Sequence, residues 1–218
     1  MYDGLSVGAE RRVAGLCGVI LSAGESSRMG TQKPLLPWPP GGEGTLLGAL
    51  IRSLQPFTDE VLVVVGRNTG LLAPVIAEAG AISVENLRPD EGQFSSLRVG
   101  LREVVARGFS SAMICPVDGP PLRESSLSAL VGRFGEGGGE WGVAPRMGEK
   151  RGHPLLARRE LIEAFLAAPA EGNAKAVRNA HEARMVYLDV DDAMVGVNAN
   201  TPEEFAALCA AVSAASTS

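Results

Sequence analysis

The sequence predicts an α/β fold in which a mostly parallel sheet is covered by helices on both faces. Strand-like and helix-like segments alternate four times through residue 134, which is the order typical of parallel sheets with crossover helices. The first strand-like segments are continuous apolar runs, as expected for buried parallel strands. After the glycine run 135–139 the segments become short and flank a turn, which predicts an antiparallel C-terminal addition to the same sheet.

Each element follows from a local pattern. Apolar, partly β-branched runs predict strands at 17–23, 60–66, 81–85, 112–117, 140–145 and 153–157. Apolar residues at helical spacing predict helices at 45–54, 70–79, 127–134, 159–167 and 173–181, and Pro202 predicts the start of a last helix. Ser95 or Ser96 is the expected N-cap of another helix that carries Leu97 and Leu101.

Length and composition indicate one domain, predicted to span 15–210, with flexible tails at 1–14 and 211–218. The 218 residues are 45% apolar, which is enough for a sizeable core. The net charge of −5 gives no general basic excess for nucleic acid or an anionic membrane. No apolar run approaches the ~20 residues of a membrane helix.

The three cysteines are scattered and form no CxxC or Cys/His ligand spacing, which argues against a zinc site. Their pattern fits a reducing compartment, so a cytoplasmic location is expected. The apolar run after Arg11 and Arg12 can also be read as a signal peptide. The glycine loop that follows it favours a first buried strand instead.

The most unusual segment, LSAGESSRMGTQKPLL at residues 21–36, follows this first strand. A glycine loop in that position presents consecutive backbone amides to an anion, and Gly24 permits a sharp turn. The pattern predicts a cradle for a polyphosphate, with an ordinary polar surface loop as the alternative. It is neither GxxxxGK[ST] nor GxGxxG. The side chains expected around the anion are Ser26, Ser27, Arg28 and Lys33.

Two other predicted loops carry candidate metal ligands. Asp118 follows a buried strand and precedes Gly-Pro-Pro, a position suited to Mg²⁺, which takes oxygen ligands and few protein carboxylates. The alternative is a turn or cap aspartate. Asn200 offers a neutral oxygen, but together with Thr201 it also suits the start of a helix that has Pro202 in its first turn. Asp189, Asp191 and Asp192 form an acidic cluster that is more readily a solvated turn than a second metal site.

The spacing in residues 21–36 resembles the signature L-x-[AG]-G-x-S-x-R-M-G-x-x-K of the nucleotidyltransferases related to molybdenum cofactor biosynthesis. The matching residues are Leu21, Gly24, Ser26, Arg28, Met29, Gly30 and Lys33. Four further segments resemble the family in its own order: EGQFSSLRVGL at 91–101, ICPVDGPPL at 114–122, RGHPLL at 151–156 and VNANTPEEF at 197–205. The resemblance extends from residue 17 to about 208. It implies a Rossmann-like (GT-A-like) nucleotidyltransferase fold, a three-layer α/β/α sandwich.

The resemblance also implies roles for individual residues. Lys33, Asp118 and Arg28 would be catalytic, with Asp118 and Asn200 holding Mg²⁺. Residues expected at the nucleotide are Leu21, Ala23, Gly24, Ser26, Ser27, Gly30, Lys33 and Ser96. Residues expected at the acceptor are Gly92, Gln93, Arg98 and His153. A structural role remains the alternative for His153, and a surface position is an equal alternative for Arg98.

The implied reaction is in-line attack by an acceptor phosphate oxygen on the α-phosphorus of an NTP, with release of pyrophosphate. Such transfer relies on positioning and charge neutralisation, and no GxSxG elbow or Cys/His pair is evident in the sequence. Ala23 in LSAG is typical of cytidylyltransferases, so CTP is expected. The asparagines of 198–200 favour the guanylyltransferases and GTP. The expected acceptor is a molybdopterin-type or other small phosphorylated compound, and a molybdoenzyme is a candidate partner.

Other functions remain open at this point. The same scaffold also serves sugar-phosphate nucleotidylyltransferases. A non-catalytic protein that binds and delivers molybdenum cofactor is an alternative from another class. A dinucleotide-binding oxidoreductase is disfavoured because no GxGxxG follows the first strand.

Overall fold

The structure is a computed structural model that describes residues 13–24 and 31–215. In these residues one sheet of eight strands is found, with the order β3-β2-β1-β4-β7-β5-β6 and with β8 paired to β5. The strands are β1 (Leu16–Ser22), β2 (Glu60–Val65), β3 (Ile82–Glu85), β4 (Ser111–Pro116), β5 (Gly142–Met147), β6 (Lys150–Arg151), β7 (Leu155–Arg158) and β8 (Met185–Asp189). The predicted α/β class is confirmed.

Helices cover both faces of the sheet, so the predicted three-layer sandwich is confirmed. They are α1 (Leu46–Leu54), α2 (Thr69–Glu78), α3 (Gln93–Ala106), α4 (Glu124–Gly135), α5 (Arg159–Ala167), α6 (Ala174–Ala180) and α7 (Pro202–Ala215). Alternate residues of β1 face opposite layers, as the period of a strand requires. Leu16 and Ile20 pack with α1, α2, α4 and α7, while Val19 and Leu21 pack with α3 and α5.

The C-terminal half of the sheet is only partly antiparallel, which corrects the sequence prediction. Strand β7 runs antiparallel to both β4 and β5, and β6 runs antiparallel to β5. Strands β5 and β8 are parallel to each other and therefore run in the direction of β1 to β4. The reason is that α4 carries the chain back to the end of the sheet where β4 begins. Strand β5 then starts from that end.

Helix α3 begins earlier than expected, because its N-cap is Gly92. Gly92 has φ +88°, a conformation that glycine adopts without strain. The Ser95 hydroxyl donates to the Gly92 carbonyl at 2.8 Å, and Ser96 lies in the next position of the helix. The prediction that Ser95 or Ser96 caps the helix is therefore wrong.

The predicted tails are also too long at both ends. Helix α7 extends to Ala215, and its Val212 packs against the core, as does Val13 at the other end. Residues 13–14 and 211–215 are thus part of the folded unit, while the remaining predicted tail residues lie outside the described ranges. No helix in the described ranges combines the length and apolar character needed to cross a bilayer.

The carboxyl ends of the central strands meet at one edge of the sheet. Ser22 pairs with Val65 across β1 and β2, and Leu21 pairs with Pro116 across β1 and β4. The loops that follow these strands therefore emerge side by side. Ligands in open parallel sheets bind at this edge, so the fold brings the predicted loops together.

Close contact between α3 and the sheet depends on Gly100. A Cβ at this position would lie 2.8 Å from Val19 Cγ1 and 2.9 Å from Val64 Cγ2. We expect Gly100→Ala to lower the free energy of unfolding by about 1–3 kcal/mol, because overpacking forces the helix away from the strands. Urea unfolding of the purified protein measures this change.

Gly132→Ala in α4 is the matched control. Gly132 is exposed, and an added Cβ would meet no atom within 4 Å in the part of the chain that the structure describes. This variant should be unchanged or more stable by up to about 1 kcal/mol, since alanine favours the helix. Equal effects of the two substitutions would contradict the packing argument.

Candidate active site

The loop after β1 is described only at its two flanks. Ala23 and Gly24 leave the strand, and the chain is described again from Thr31 to Lys33. The predicted phosphate-binding residues Ser26, Ser27, Arg28 and Gly30 lie outside the described residues. Gly24 is exposed, and no atom of the described residues lies within 4 Å of an added Cβ at this position.

Asn68, which the sequence analysis did not single out, holds both flanks of this loop. Its side-chain Nδ2 donates to the Ser22 carbonyl at 3.0 Å and to Gln32 Oε1 at 3.4 Å. Its Oδ1 accepts from the Gly66 amide at 3.0 Å. Asn68 is buried, so these bonds are shielded from water and fix the width of the loop's base.

Lys33 lies in a short 3₁₀ turn, Lys33–Leu35, and is only 8% exposed. Its Nζ donates to Asn200 Oδ1 at 3.0 Å. This bond joins the first loop of the sheet edge to the last. The structure therefore brings together two residues that the sequence analysis assigned to phosphate and metal binding.

Asp118 follows β4 at the same edge. Its carbonyl accepts from the Ala199 amide at 2.9 Å, and a Cβ on Gly119 would lie 2.3 Å from the Val197 carbonyl oxygen. The loop after β4 is thus packed directly against the segment that precedes α7. Burial raises the pKa of Asp118, while the Lys33 ammonium and a backbone hydrogen bond act in the opposite direction.

The oxygen donors at this edge fit a divalent cation such as Mg²⁺. Asp118 and Asn198 line one cavity of about 140 Å³. Asn200 offers a further amide oxygen, which accepts the hydrogen bond from Lys33. The described ranges contain no group of three or more Asp, Glu, His or Cys side chains arranged to hold a metal. One carboxylate with amide oxygens is nevertheless a suitable set, because Mg²⁺ keeps waters and substrate phosphates as ligands.

The acidic cluster near this edge is structural. Asp192 is fully buried, and its carboxylate accepts from the amides of Arg123 and Met194 at 2.8 and 3.0 Å. Asp189 pairs with Arg146 at 2.7 Å. The solvated turn expected from the sequence is therefore wrong for Asp192, which instead anchors the loop between β8 and α7.

A larger cavity of about 400 Å³ adjoins the first one. Its lining brings together four residues predicted to contact nucleotide or acceptor: Leu21, Gly92, Gln93 and His153. Phe94, Leu97 and Phe165 give it apolar walls, and Lys175 and Arg178 supply positive charge. Pro116 and His153 line both cavities, so the two form neighbouring parts of one cleft.

Three predicted residues do not line either of these two cavities. Ala23 is 5% exposed, and its carbonyl packs against Gly66. Ser96 is buried and accepts from Asn86 Nδ2 at 3.0 Å. Arg98 lines a separate cavity of about 390 Å³ and donates to the Leu166 carbonyl at 3.3 Å.

Comparison with known proteins agrees with this geometry. Residues 18–185 match the family model of the MobA-like NTP transferase domain. The chain belongs to this family. One MobA-like relative is a probable molybdenum cofactor guanylyltransferase of Rhodopirellula baltica, 32% identical over 141 residues, which are 65% of this chain and 66% of that protein.

Another relative is a probable molybdenum cofactor guanylyltransferase of Mycobacterium avium, 29% identical over 84% of this chain and 90% of that protein. Among solved structures, a Mycobacterium tuberculosis protein in complex with manganese superposes with a TM-score of 0.69 at 20% identity, covering 89% of this chain and 98% of that one. The last likeness supports the fold alone.

The sequence did not predict three residues near the site, namely Asn68 at the base of the loop after β1 and Lys175 and Arg178 in the cleft. Asn68 gave a weak signal, an asparagine soon after a strand that ends in glycine. Lys175 and Arg178 gave none, because basic residues on a short polar helix are common on any surface. Asn173 accepts from the Ala176 amide at 2.8 Å and caps α6, which places both cations beside the cavity.

His153 is held in its neutral form. Burial and, to a smaller extent, the charge of Arg178 lower its pKa to about 4, while a hydrogen bond with the backbone of Ile114 acts in the opposite direction. Its Nδ1 atom is buried and has no hydrogen-bond partner among the described residues. A neutral imidazole carries one hydrogen-bond donor and one acceptor, and His153 lines both cavities.

The lowered pKa of His153 predicts acid sensitivity. Between pH 6.5 and 4 the unfolded chain binds a proton at this residue that the folded chain excludes, so the free energy of unfolding falls as the pH is lowered. On acidification from pH 7 to pH 4.5, we expect the free energy of unfolding of His153→Gln to fall by about 2 kcal/mol less than that of the wild type. Urea unfolding at both pH values measures this.

The interpretation fails if His153→Gln and the wild type lose the same stability on acidification.

Proposed function

We propose that this protein transfers GMP from GTP to the phosphate of a molybdopterin-type acceptor and releases pyrophosphate. The observation that carries the proposal is the convergence of Lys33, Asn200 and Asp118 at the edge where β1 and β4 end. A buried ammonium beside oxygen donors suits a triphosphate with its divalent cation. The MobA-like family supports nucleotidyl transfer as the reaction type.

The choice of GTP departs from the CTP expected from the sequence. The relatives that resemble the chain are named guanylyltransferases, which favours GTP. The case for CTP depended on Ala23, but this side chain is buried and has little room to contact a base.

In the proposed reaction an acceptor phosphate oxygen forms a bond to the α-phosphorus of GTP. The bond from that phosphorus to the bridging oxygen breaks, and the electron pair leaves with pyrophosphate. Lys33 and the amides near Gly24 hold the triphosphate, and Asp118 with Asn200 would hold Mg²⁺. A bound Mg²⁺ supplies neutralisation of the charge that develops on the phosphate oxygens.

The acceptor is placed in the larger cavity. Phe94, Leu97 and Phe165 offer apolar walls to a flat ring system, and Lys175 and Arg178 offer charge to an anionic group. His153 lies between this cavity and the one that Asp118 lines. An acceptor in this position has a short path from the larger cavity to the sheet edge that carries Lys33, Asp118 and Asn200. We call this part of the sheet edge the metal edge.

A pyrophosphate-release assay with GTP, CTP, ATP and UTP, Mg²⁺ and molybdenum cofactor tests the reaction. We expect GTP to exceed CTP by about tenfold or more in kcat/KM, a difference of about 1.4 kcal/mol. Asp118→Asn should lower turnover by about 100-fold or more, because the carboxylate charge is lost. Asp191→Asn, at an exposed carboxylate near the same edge, should stay within about twofold.

A preference for CTP would restore the sequence expectation and refute the proposed base. Turnover that does not depend on Asp118 would remove the assigned metal edge. Binding of molybdenum cofactor without turnover of any NTP would favour the delivery protein.

The two cations of α6 should act on the acceptor rather than on GTP. We expect Lys175→Ala and Arg178→Ala each to raise the KM for the acceptor by about tenfold, since a hydrogen bond to a charged group is lost. The KM for GTP should change by less than about threefold. Arg102→Ala, at an exposed arginine beside the separate cavity, is the matched control. A rise in the KM for GTP alone would place the nucleotide there instead.

A further inference from the structure

The Lys33 ammonium lies where a cation of the metal edge would lie. Its Nζ is 3.0 Å from Asn200 Oδ1, the oxygen that is the candidate metal ligand of the last loop. The side chain is only 8% exposed. A buried ammonium and a divalent ion seek the same partners, namely carboxylate and amide oxygens.

The same ammonium acts on the other candidate ligand. The Lys33 ammonium interacts electrostatically with the carboxylate of Asp118. Lys33 therefore supplies to Asp118 the charge that a bound metal would otherwise supply.

Asn200 itself is fixed by its neighbours. Its backbone amide donates to the Glu204 carboxylate at 2.7 Å, and the Glu204 amide donates to Thr201 Oγ1 at 3.2 Å. The adjacent Ala199 is bound to the Asp118 carbonyl. When this group of contacts rearranges, the side chain that moves is therefore that of Lys33. Its four-carbon stem can turn toward a different anion.

We propose that Lys33 is the resident cation of the metal edge, and that a divalent cation exchanges with it when the triphosphate binds. The ammonium leaves the Asn200 oxygen for the phosphates, and the metal takes that oxygen. This proposal deepens the proposed function and depends on its assignment of the edge to metal and triphosphate. It makes Lys33 a competitor of the metal before the nucleotide arrives.

The exchange has a measurable consequence without turnover. In the absence of nucleotide a divalent ion must displace an ammonium and meets its positive charge, so the ion binds weakly. Replacing the ammonium with an uncharged side chain of similar length should strengthen metal binding, because charge repulsion is removed. A lysine that only binds phosphate would leave metal affinity unchanged.

Titration of the full chain with Mn²⁺, followed by the electron paramagnetic resonance signal of the unbound ion, tests this consequence. We expect Lys33→Met to bind Mn²⁺ at least about tenfold more tightly than the wild type. Lys150→Met, at an exposed lysine of β6, controls for general loss of positive charge and should change affinity by less than about twofold. Unchanged affinity in Lys33→Met would overturn the proposal.

A double-mutant cycle with Asn200→Ala identifies the shared oxygen. In the Lys33→Met background this change should weaken Mn²⁺ binding by about tenfold. In the presence of Lys33 it should weaken binding by less than about threefold, because the oxygen is already engaged. Equal effects in both backgrounds would contradict the exchange. Circular dichroism and urea unfolding confirm folding, and Lys33→Gln serves as a second neutral variant.

The result separates this proposal from the proposed function. Wild-type turnover of GTP together with unchanged Mn²⁺ affinity in both neutral variants would refute only the exchange. Tighter Mn²⁺ binding in those variants, without wild-type turnover of any NTP, would refute only the proposed function.

Discussion

The site depends on the hydrogen bond between Lys33 and Asn200, because this bond joins the first loop at the sheet edge to the last one. It requires that β1 and the segment before α7 reach the same point in space. The pairing of β1 with β4 and the bond from Ala199 to Asp118 bring them there. A buried ammonium has few stable partners, so its position is set by the oxygens around it. The remaining architecture serves to hold those oxygens in place.

The sequence predicted strands and helices well where its apolar residues form a continuous run or recur at helical spacing. The continuous apolar run of β2 and the helical spacing in α1 each correspond to an observed element. The directions of β5 and β8 were not predictable, because a short apolar strand looks the same in both orientations. Direction depends on where α4 returns the chain, which is a property of packing. The start of α3 was missed because serine is a common N-cap residue, which favoured Ser95. The helix instead begins after Gly92, whose positive φ sets its start.

The site was predictable where chemistry follows a strand. Asp118 and His153 were singled out by position, and both line the observed cleft. Asn68 and Arg178 were not, because their roles arise from contacts with segments far away in sequence. Asn68 spans 46 positions to reach Ser22, and no local pattern records such a partner. Residues 25–30 lie outside the described ranges, so the predicted roles of their side chains remain predictions.

An acidic chain that binds polyanions needs its positive charge in one place. The net charge is −5, yet Lys175 and Arg178 line the cleft, and Lys33 lies at the sheet edge beside Asn200 and interacts with Asp118. Two acidic groups after β8 are satisfied internally: Asp189 pairs with Arg146, and the backbone amides of Arg123 and Met194 donate to Asp192. Anionic ligands therefore meet a local positive field rather than the average charge of the protein, since nearby charges dominate over distant, screened ones. A neutral His153 fits this arrangement, because a further cation between the two cavities would compete with the metal for the same phosphates.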